Sequence, residues 1–285
     1  MAGPLPAIVF WREGSASGYP RSYERLIGAG CASGLCVPSV AALFLFVSDS
    51  TQRSVAGRPP ALAGASSVVI FDCNGVLVDS EPLVAEVVSR EFMRAGFALT
   101  PEIVARYFTG RRPADMFADV EIAAGRRLPP NFATVLTNEI LKRFRADLRV
   151  TAHAAHALAW LRGPKCVASS SGIDRIRLSL ETTGLLRFFE PFLFSASEVR
   201  HGKPAPDLFL HAAARMRVDA RNCIVVEDSP VGVAAGVAAG MRVIGFAGGS
   251  HAGPAMLEQL RAAGANVVIT DMRALKGTII DLRGW

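Results

Sequence analysis

Three carboxylates stand at the ends of two short apolar runs. Asp72 follows the run at 68–71, and Glu227 and Asp228 follow the run at 223–226. Apolar runs rich in β-branched residues are typical of strands covered on both faces in a parallel sheet, and such sheets bind ligands beyond the carboxyl ends of their strands. We therefore expect the three carboxylates to meet at one edge of a sheet. Oxygen donors without a thiol or a histidine favour Mg²⁺ over Zn²⁺.

The loop after Asp72 contains Gly75, which can adopt backbone angles that other residues avoid. The chain can therefore curl tightly and direct backbone N–H groups at an anion. A curled loop beside a carboxylate at a strand end predicts a phosphate site with Asp72 as its nucleophile. Carboxylates at one edge also repel each other unless a cation lies between them, which again favours a metal.

Other polar residues follow predicted strands. Ser169 and Ser170 end the apolar run at 166–168 and precede a predicted helix. Lys203 is followed by two prolines within 204–206, which restrict the backbone so that the ammonium group extends from one defined position. Each feature is ordinary alone, and together they add hydroxyl and ammonium donors to the predicted phosphate site.

The turn at 109–112 carries the adjacent arginines Arg111 and Arg112. Guanidinium groups bind phosphate or carboxylate through forked hydrogen bonds, so both residues are candidates for contact with a substrate. Arginines at a turn between helices are also commonly solvated, and the sequence leaves both interpretations open.

In this order the elements resemble the motifs of the haloacid dehalogenase superfamily. The stretch FDCNGVLVDSEP at 71–82 is similar to the opening motif of its sugar-phosphate phosphatase and β-phosphoglucomutase branch. Ser169, Lys203 with its prolines, and the Glu227-Asp228 pair follow in the order of the remaining family motifs. The resemblance implies an α/β fold with a Rossmann-like doubly wound parallel sheet and an inserted all-helical cap domain.

The resemblance also implies a role for each matched residue. Asp72 would attack phosphorus to give an aspartyl-phosphate, which water then cleaves. Ser169 would donate a hydrogen bond to the phosphoryl oxygen, and Lys203 would stabilise Asp72 and the transferring group. Gly75 and Ser170 would bind the substrate beside them.

For the metal, the resemblance implies Mg²⁺ held by the side chains of Asp72 and Asp228 and by the backbone carbonyl of Asn74. Glu227 would assist directly or through water. Asn74 departs from the family pattern, which has a second Asp here that protonates the leaving oxygen and later activates water. Because an amide has no titratable proton, we expect a phosphate site with slow turnover.

Composition and periodicity divide the chain into parts. Residues 1–65 are rich in Gly, Pro, Ala and Ser, which predicts a poorly ordered N-terminal extension. Strand and helix patterns alternate at 66–81 and 150–275, which predicts the Rossmann-like core. Only helical patterns occur at 82–149, the expected cap, and 276–285 is expected to be a C-terminal tail.

The net charge of +6 and the pI of about 9.4 favour anionic partners, but no block of like charge suggests nucleic-acid binding. The apolar run at 40–47 is too short to cross a bilayer, so we expect no membrane association. Cys73, Cys166 and Cys223 have no metal-ligand spacing and are typical of small core residues in a reducing compartment. We expect a cytoplasmic monomer or weak homodimer that acts on a small phosphorylated substrate.

Three alternative functions stay open. A β-phosphoglucomutase would share nearly every motif residue but normally needs the second Asp that Asn74 replaces. A haloacid dehalogenase also uses an aspartate nucleophile but needs no Mg²⁺, so the Glu227-Asp228 pair argues against it. A non-catalytic phosphate-binding or regulatory protein is favoured by Asn74 alone.

Overall fold

The computed structural model describes residues 67–283 except 109, 110 and 112. The extension expected at 1–65 and the candidate residue Arg112 therefore lie outside the described residues. The strands are β1 (Val68–Phe71), β2 (Lys165–Ser169), β3 (Leu193–Ser195), β4 (Cys223–Glu227), β5 (Arg242–Phe246) and β6 (Val267–Ile269).

All six strands run parallel in one sheet with the order β3-β2-β1-β4-β5-β6. The strand order reverses direction at β1 and β4, which is the switch point where doubly wound sheets bind their ligands. This topology confirms the predicted fold class.

Between β1 and β2 the described residues form helices and loops. Phe92 is fully buried there, and its ring centroid lies 6.0 Å from that of Phe97, 6.1 Å from that of Phe117 and 4.6 Å from that of Phe132. These aromatic contacts give the helical insert an apolar centre of its own. Its helices are α1 (Glu81–Arg94), α2 (Pro101–Phe108), α3 (Pro113–Ala124) and α4 (Phe132–Asp147).

Two chain segments join the insert to the sheet, and they are hydrogen-bonded to each other. The N–H of Asp79 donates to the carbonyl of Arg149 at 2.9 Å, and the N–H of Thr151 donates to the carbonyl of Leu77 at 3.0 Å. The chain therefore leaves and re-enters the core at one place, which holds the insert near the carboxyl end of β1.

Residues of the strands alternate between two hydrophobic cores, one on each face of the sheet. In β1, Val69 and Phe71 belong to the first core and Val68 and Ile70 to the second, and none is more than 1% exposed. The first core also contains residues of α5 (Ala154–Trp160), α6 (Ile173–Thr182) and α10 (Leu275–Arg283). The second contains residues of α7 (Asp207–Met216), α8 (Pro230–Ala238) and α9 (Met256–Ala262). In the described part of the chain, no helix has both the length and the apolar character needed to span a membrane.

The segment expected as a tail at 276–285 forms most of helix α10, so that prediction is wrong for its described residues. Leu275, Ile279 and Leu282 are spaced four and three residues apart and therefore share one helix face. All three are buried in the first core. This spacing was present in the sequence and predicts a packed helix, although no strand pattern occurs in the segment.

Helix α8 lies unusually close to the sheet because of two glycines. A Cβ atom added to Gly236 would lie 2.7 Å from Cγ2 of Val243 on β5, and one added to Gly232 would lie 1.8 Å from Oε1 of Glu227. Gly240 follows the helix with a φ of +71° and has open space around its Cα, so it ends the helix instead of packing against the sheet.

We expect Gly236→Ala and Gly277→Ala to change stability in opposite directions. Alanine should gain up to about 1 kcal/mol of helix propensity at both positions. At Gly236 the clash with Val243 should cost about 1–3 kcal/mol and give a net loss, whereas Gly277 on α10 has open space. Urea unfolding of both variants measures this, and a Gly236→Ala protein as stable as Gly277→Ala would contradict the close packing of α8.

Candidate active site

A buried ion-paired cluster lies at the carboxyl ends of β1 and β4. Nζ of Lys203 lies 2.6 Å from Oδ1 of Asp72 and 2.6 Å from Oε1 of Glu227. The side chains of Lys203 and Glu227 are 1% exposed, and that of Asp72 is 8% exposed. The ammonium also donates to the carbonyl of Ala168 at 3.5 Å. Its three donors therefore have three acceptors.

The parallel register brings the two carboxylates together. Phe71 pairs with Val226, so the next residues, Asp72 and Glu227, lie side by side at the ends of neighbouring strands. Lys203 comes from the loop between β3 and α7, where its ammonium lies 5.1 Å from the ring centroid of Phe209. Burial acts to lower the pKa of Lys203, but the two carboxylates raise it above its usual value, so the lysine is charged.

Glu227 holds Lys203 in place and has no free oxygen. Oε1 accepts from Lys203, and Oε2 accepts from the N–H and the hydroxyl of Ser229 at 2.8 and 2.9 Å. Three of the roughly four lone-pair sites of this carboxylate are therefore already used. The sequence left open whether Glu227 assists the metal directly or through water, and we favour assistance through water.

Carboxyl groups outnumber basic groups in this cluster. Asp72, Glu227 and Asp228 place one carboxylate oxygen each within 4.8 Å of the others. Burial, together with the neighbouring carboxylates, raises the pKa of Asp72 to about 8 and that of Asp228 to about 7, despite Lys203 and His251. Oδ2 of Asp228 is buried and has no hydrogen-bond partner among the described residues. These oxygen donors fit a divalent cation, which would supply the missing positive charge.

Gly75 makes room for Asp228. Its φ is +74°, and an added Cβ would lie 1.8 Å from Oδ2 of Asp228. Its N–H donates to the carbonyl of Val78 at 2.8 Å, so in this structure it is not directed at an anion, contrary to our expectation for the loop. Within the described residues, the N–H groups of Cys73 and Asn74 have no acceptor, and these two can serve an anion instead.

The side chain of Asn74 is held at the end of β2. Its Nδ2 donates to Oγ of Ser171 at 3.0 Å, whereas its Oδ1 is buried and lacks a partner within the described residues. Ser169 is 1% exposed and its Oγ accepts from the N–H of Ser171 at 3.3 Å. The amide and the hydroxyls of this strand end therefore form one connected group.

A cavity of about 80 Å³ lies between this edge of the sheet and the helical insert. Its lining includes most of the residues singled out from the sequence, namely Asp72, Asn74, Ser169, Ser170, Asp228 and Arg111. Arg111 belongs to the insert, is 25% exposed, and pairs with Asp119 at 2.7 Å. Apolar side chains of the insert, among them Val88, Phe108 and Met116, line the rest.

Sequence reasoning missed two basic residues near this site. Arg175 on α6 lines the cavity, and its guanidinium lies 4.9 Å from the ring centroid of Phe144. His251, in the loop after β5, lies 2.9 Å from Asp228. Arg175 lies in the first turn of the helix after Ser169, and His251 lies in a glycine-rich loop. Both follow strand ends of the same sheet, so a search of every predicted strand end would have included them.

The fold and the site define an α/β protein whose strand-end aspartate is paired with a lysine beneath a helical insert. The chain belongs to the haloacid dehalogenase-like hydrolase family, whose model matches residues 67–240.

Two curated relatives are similar over most of their length. The 6-phosphogluconate phosphatase of Escherichia coli (strain K12) is 33% identical over 187 residues, covering 65% of this chain and 85% of the relative. The validoxylamine A 7'-phosphate phosphatase of Streptomyces hygroscopicus subsp. limoneus is 30% identical over 212 residues, covering 73% of this chain and 95% of the relative.

One similar solved structure contains an anion. The crystal structure of a family hydrolase from Deinococcus radiodurans R1, with bound phosphate and sodium, superposes with a TM-score of 0.60 at 31% identity. The match covers 76% of this chain and 97% of that structure.

We expect Mg²⁺ to raise the melting temperature of the wild-type protein but not that of Asp228→Asn. Binding to the folded state alone stabilises it by about 2.7 kcal/mol when the ligand is at 100 times its Kd. The exposed residue Asp281 on α10 provides the control, since Asp281→Asn removes the same charge away from the cluster. A Mg²⁺-dependent shift that is equal in all three proteins would contradict the assignment of Asp228 to the metal.

Without metal, the free energy of unfolding should fall as the pH rises between about 5 and 7. The pKa values of Asp72 and Asp228 are about 8 and about 7 in the folded protein, against an ordinary value of 3.8 for an aspartate. The folded state therefore binds more protons in this window and loses stability as they leave. The free energy of unfolding, measured with urea in EDTA, should fall less steeply with pH for Asp228→Asn than for the wild type. Parallel slopes would show that these carboxyl groups do not titrate as described.

Proposed function

We propose that this protein is a Mg²⁺-dependent phosphatase that hydrolyses a small phosphorylated metabolite, specifically a sugar phosphate, through an aspartyl-phosphate on Asp72. The observation that carries the proposal is the 2.6 Å pairing of Asp72 with Lys203 at the wall of a cavity. Phosphoryl transfer depends on a positioned nucleophile and on positive charge near the equatorial oxygens, and this pairing contributes to both.

In the first step an oxygen of Asp72 forms a bond to phosphorus while the bond from phosphorus to the leaving alcohol breaks. Lys203 holds Oδ1 of Asp72 and so fixes the orientation of the carboxylate. The hydroxyl of Ser169 and the N–H groups of Cys73 and Asn74 are the donors available to the phosphoryl oxygens. The side chains of Asp72 and Asp228 and the backbone carbonyl of Asn74 would hold Mg²⁺, which would supply positive charge next to those oxygens.

In the second step water attacks phosphorus and breaks its bond to Asp72, which releases inorganic phosphate and restores the carboxylate. Both steps move a proton, to the leaving oxygen and then from the attacking water. Asn74 can do neither, because its amide does not titrate. Glu81 is the remaining carboxyl group in the cavity lining and is the alternative proton carrier. We therefore propose slow turnover unless Glu81 takes this role.

The proposed substrate class rests on the relatives and on the cavity. Both curated relatives described above are named as phosphatases of phosphorylated sugars or sugar-like compounds. The cavity of about 80 Å³ is smaller than the roughly 300 Å³ or more of most ligand sites, so the helical insert must move for a sugar phosphate to enter. Arg111 on the insert would then meet the substrate as the insert closes.

The test is a phosphate-release assay over sugar phosphates, aryl phosphates and acyl phosphates, with and without Mg²⁺. We expect Mg²⁺-dependent release that is fastest for aryl and acyl phosphates, whose leaving groups need little protonation. Isomerisation of a sugar phosphate without release would instead indicate a mutase. Binding of phosphate without turnover of any compound would indicate a regulatory protein.

We expect Asn74→Asp to raise turnover of alkyl phosphates by at least about tenfold and of aryl phosphates by less, because general acid–base catalysis is typically worth about 10²–10⁴-fold. The exposed residue Asn222 allows a matched control, since Asn222→Asp adds the same charge away from the cavity. Brisk wild-type turnover of sugar phosphates that Asn74→Asp leaves unchanged would show that another group carries the proton. Glu81→Gln should then abolish turnover.

A further inference from the structure

Arg175 extends from the first turn of α6 into the space between the sheet edge and the helical insert. Its side chain lines the cavity, together with Asp72 and the hydroxyl-bearing residues at the end of β2. Its guanidinium carbon lies 4.9 Å from the ring centroid of Phe144, which belongs to α4 of the insert. The guanidinium therefore reaches the insert side of the cavity, where the part of a substrate beyond its phosphoryl group must fit.

This guanidinium has donors that the protein does not use. Nε is buried and has no hydrogen-bond partner among the described residues. The N–H groups of a guanidinium lie in its own plane, so stacking on Phe144 leaves them available to a planar anion. Burial lowers the pKa of Arg175 below its usual value, although Glu81 and Asp72 act to raise it. The nearby acids therefore do not fully compensate for the burial of this charge.

Other charged groups of the site already have partners. Arg111, the other arginine in the described cavity lining, pairs with Asp119 at 2.7 Å. Asp72 pairs with Lys203 at 2.6 Å. Among the described residues of the lining, Arg175 is thus a cation with an unused donor, and an anionic ligand would meet it.

The phosphoryl group does not need Arg175, because Lys203, Ser169 and the N–H groups after Asp72 are available to it. On the insert side, many of the lining residues are apolar, among them Val88 and Met116. A charge beside apolar walls attracts an opposite charge more strongly than it does in water, since the local dielectric constant is lower. The position of Arg175 therefore favours a ligand with negative charge at a distance from its transferring phosphoryl group.

We propose that Arg175 is a specificity-determining residue that binds a second anionic group of the substrate, either a carboxylate or a second phosphate. Both groups present pairs of oxygens that match the fork of a guanidinium. The proposal rests on the proposed function, because it concerns the substrate of the same reaction. It narrows the substrate class to phosphorylated sugar acids or sugar bisphosphates, in preference to sugar phosphates without a second charge.

Two competing interpretations give Arg175 a role that is independent of a second charge. In the first, Arg175 only holds α6 against the insert through Phe144 and balances the charge of Glu81. In the second, it contacts the transferring phosphoryl group. Either role affects all phosphorylated substrates alike, whereas the proposed role affects only those with a second anionic group.

Two pairs of compounds separate these interpretations in a phosphate-release assay on the full chain with Mg²⁺. The compounds 6-phosphogluconate and sorbitol 6-phosphate differ in a carboxylate against an alcohol, and glucose 1,6-bisphosphate and glucose 6-phosphate differ in a second phosphate. We expect kcat/KM to be at least about tenfold higher for the more charged member of one pair, as is typical of a charge-assisted hydrogen bond. The pair that shows the preference identifies the anionic group.

Arg175→Gln should remove this preference, mainly by raising KM for the more charged member, because binding that is common to the ground and transition states acts on KM. Arg175→Lys should keep part of the preference, since an ammonium retains the charge without the fork. The matched control is Arg177→Gln, which removes the same charge from the same helix. Arg177 is exposed and pairs with Glu190, so its variant should keep the full preference.

Equal wild-type kcat/KM within both pairs overturns the proposal, even if Arg175→Gln fails to fold. Equal losses for both members in Arg175→Gln also overturn it, and in either case the observed phosphate release leaves the proposed function standing. If no compound releases phosphate, the proposed function fails, and calorimetric titration of the protein with the same pairs decides the proposal separately. Tighter binding of a more charged member that Arg175→Gln loses supports it, whereas equal affinity or no binding overturns it.

Discussion

The balance of charge between Lys203 and the buried carboxylates is the constraint on which the site depends. An ion removed from water costs several kcal/mol unless it is paired and hydrogen-bonded. Lys203 meets this requirement with three acceptors, and Glu227 meets it with Lys203 and Ser229. Asp228 has only the 2.9 Å contact with His251. The clustered oxygens of Asp72 and Asp228 make this part of the sheet edge suited to a cation.

Close approach of backbone segments is the second requirement of the site, and glycine meets it twice. An added Cβ would lie 1.8 Å from Asp228 at Gly75 and 1.8 Å from Glu227 at Gly232. One glycine lies in the loop after β1 and the other in the first turn of α8, and each stands against one carboxylate of the pair at the end of β4. These carboxylates can therefore occupy their positions only because neither Gly75 nor Gly232 has a Cβ atom.

Hydrogen bonds connect the helical insert to the loop beside the site. Asp79 lies in the segment that leads into the insert, where its N–H binds the returning chain at Arg149 and its carboxylate accepts from Ser250. Ser250 precedes His251, which contacts Asp228. Movement of the insert that admits a substrate would thus act on the loop that carries His251. A closed insert also excludes water from an activated phosphoryl group.

The sequence by itself determined the fold class, the helical character of the insert and the strand-end position of Asp72, Glu227 and Asp228. These features depend on periodicity and on where an apolar run stops, which are local properties of the chain. It also contained the apolar spacing of α10, with Leu275, Ile279 and Leu282 on one helix face. Tertiary structure alone decided that Gly75 makes room for Asp228 instead of offering its N–H, and that His251 reaches Asp228. The reason is that these contacts join loops from different strands, and the order of strands in the sheet, not their order in the chain, determines which loops meet.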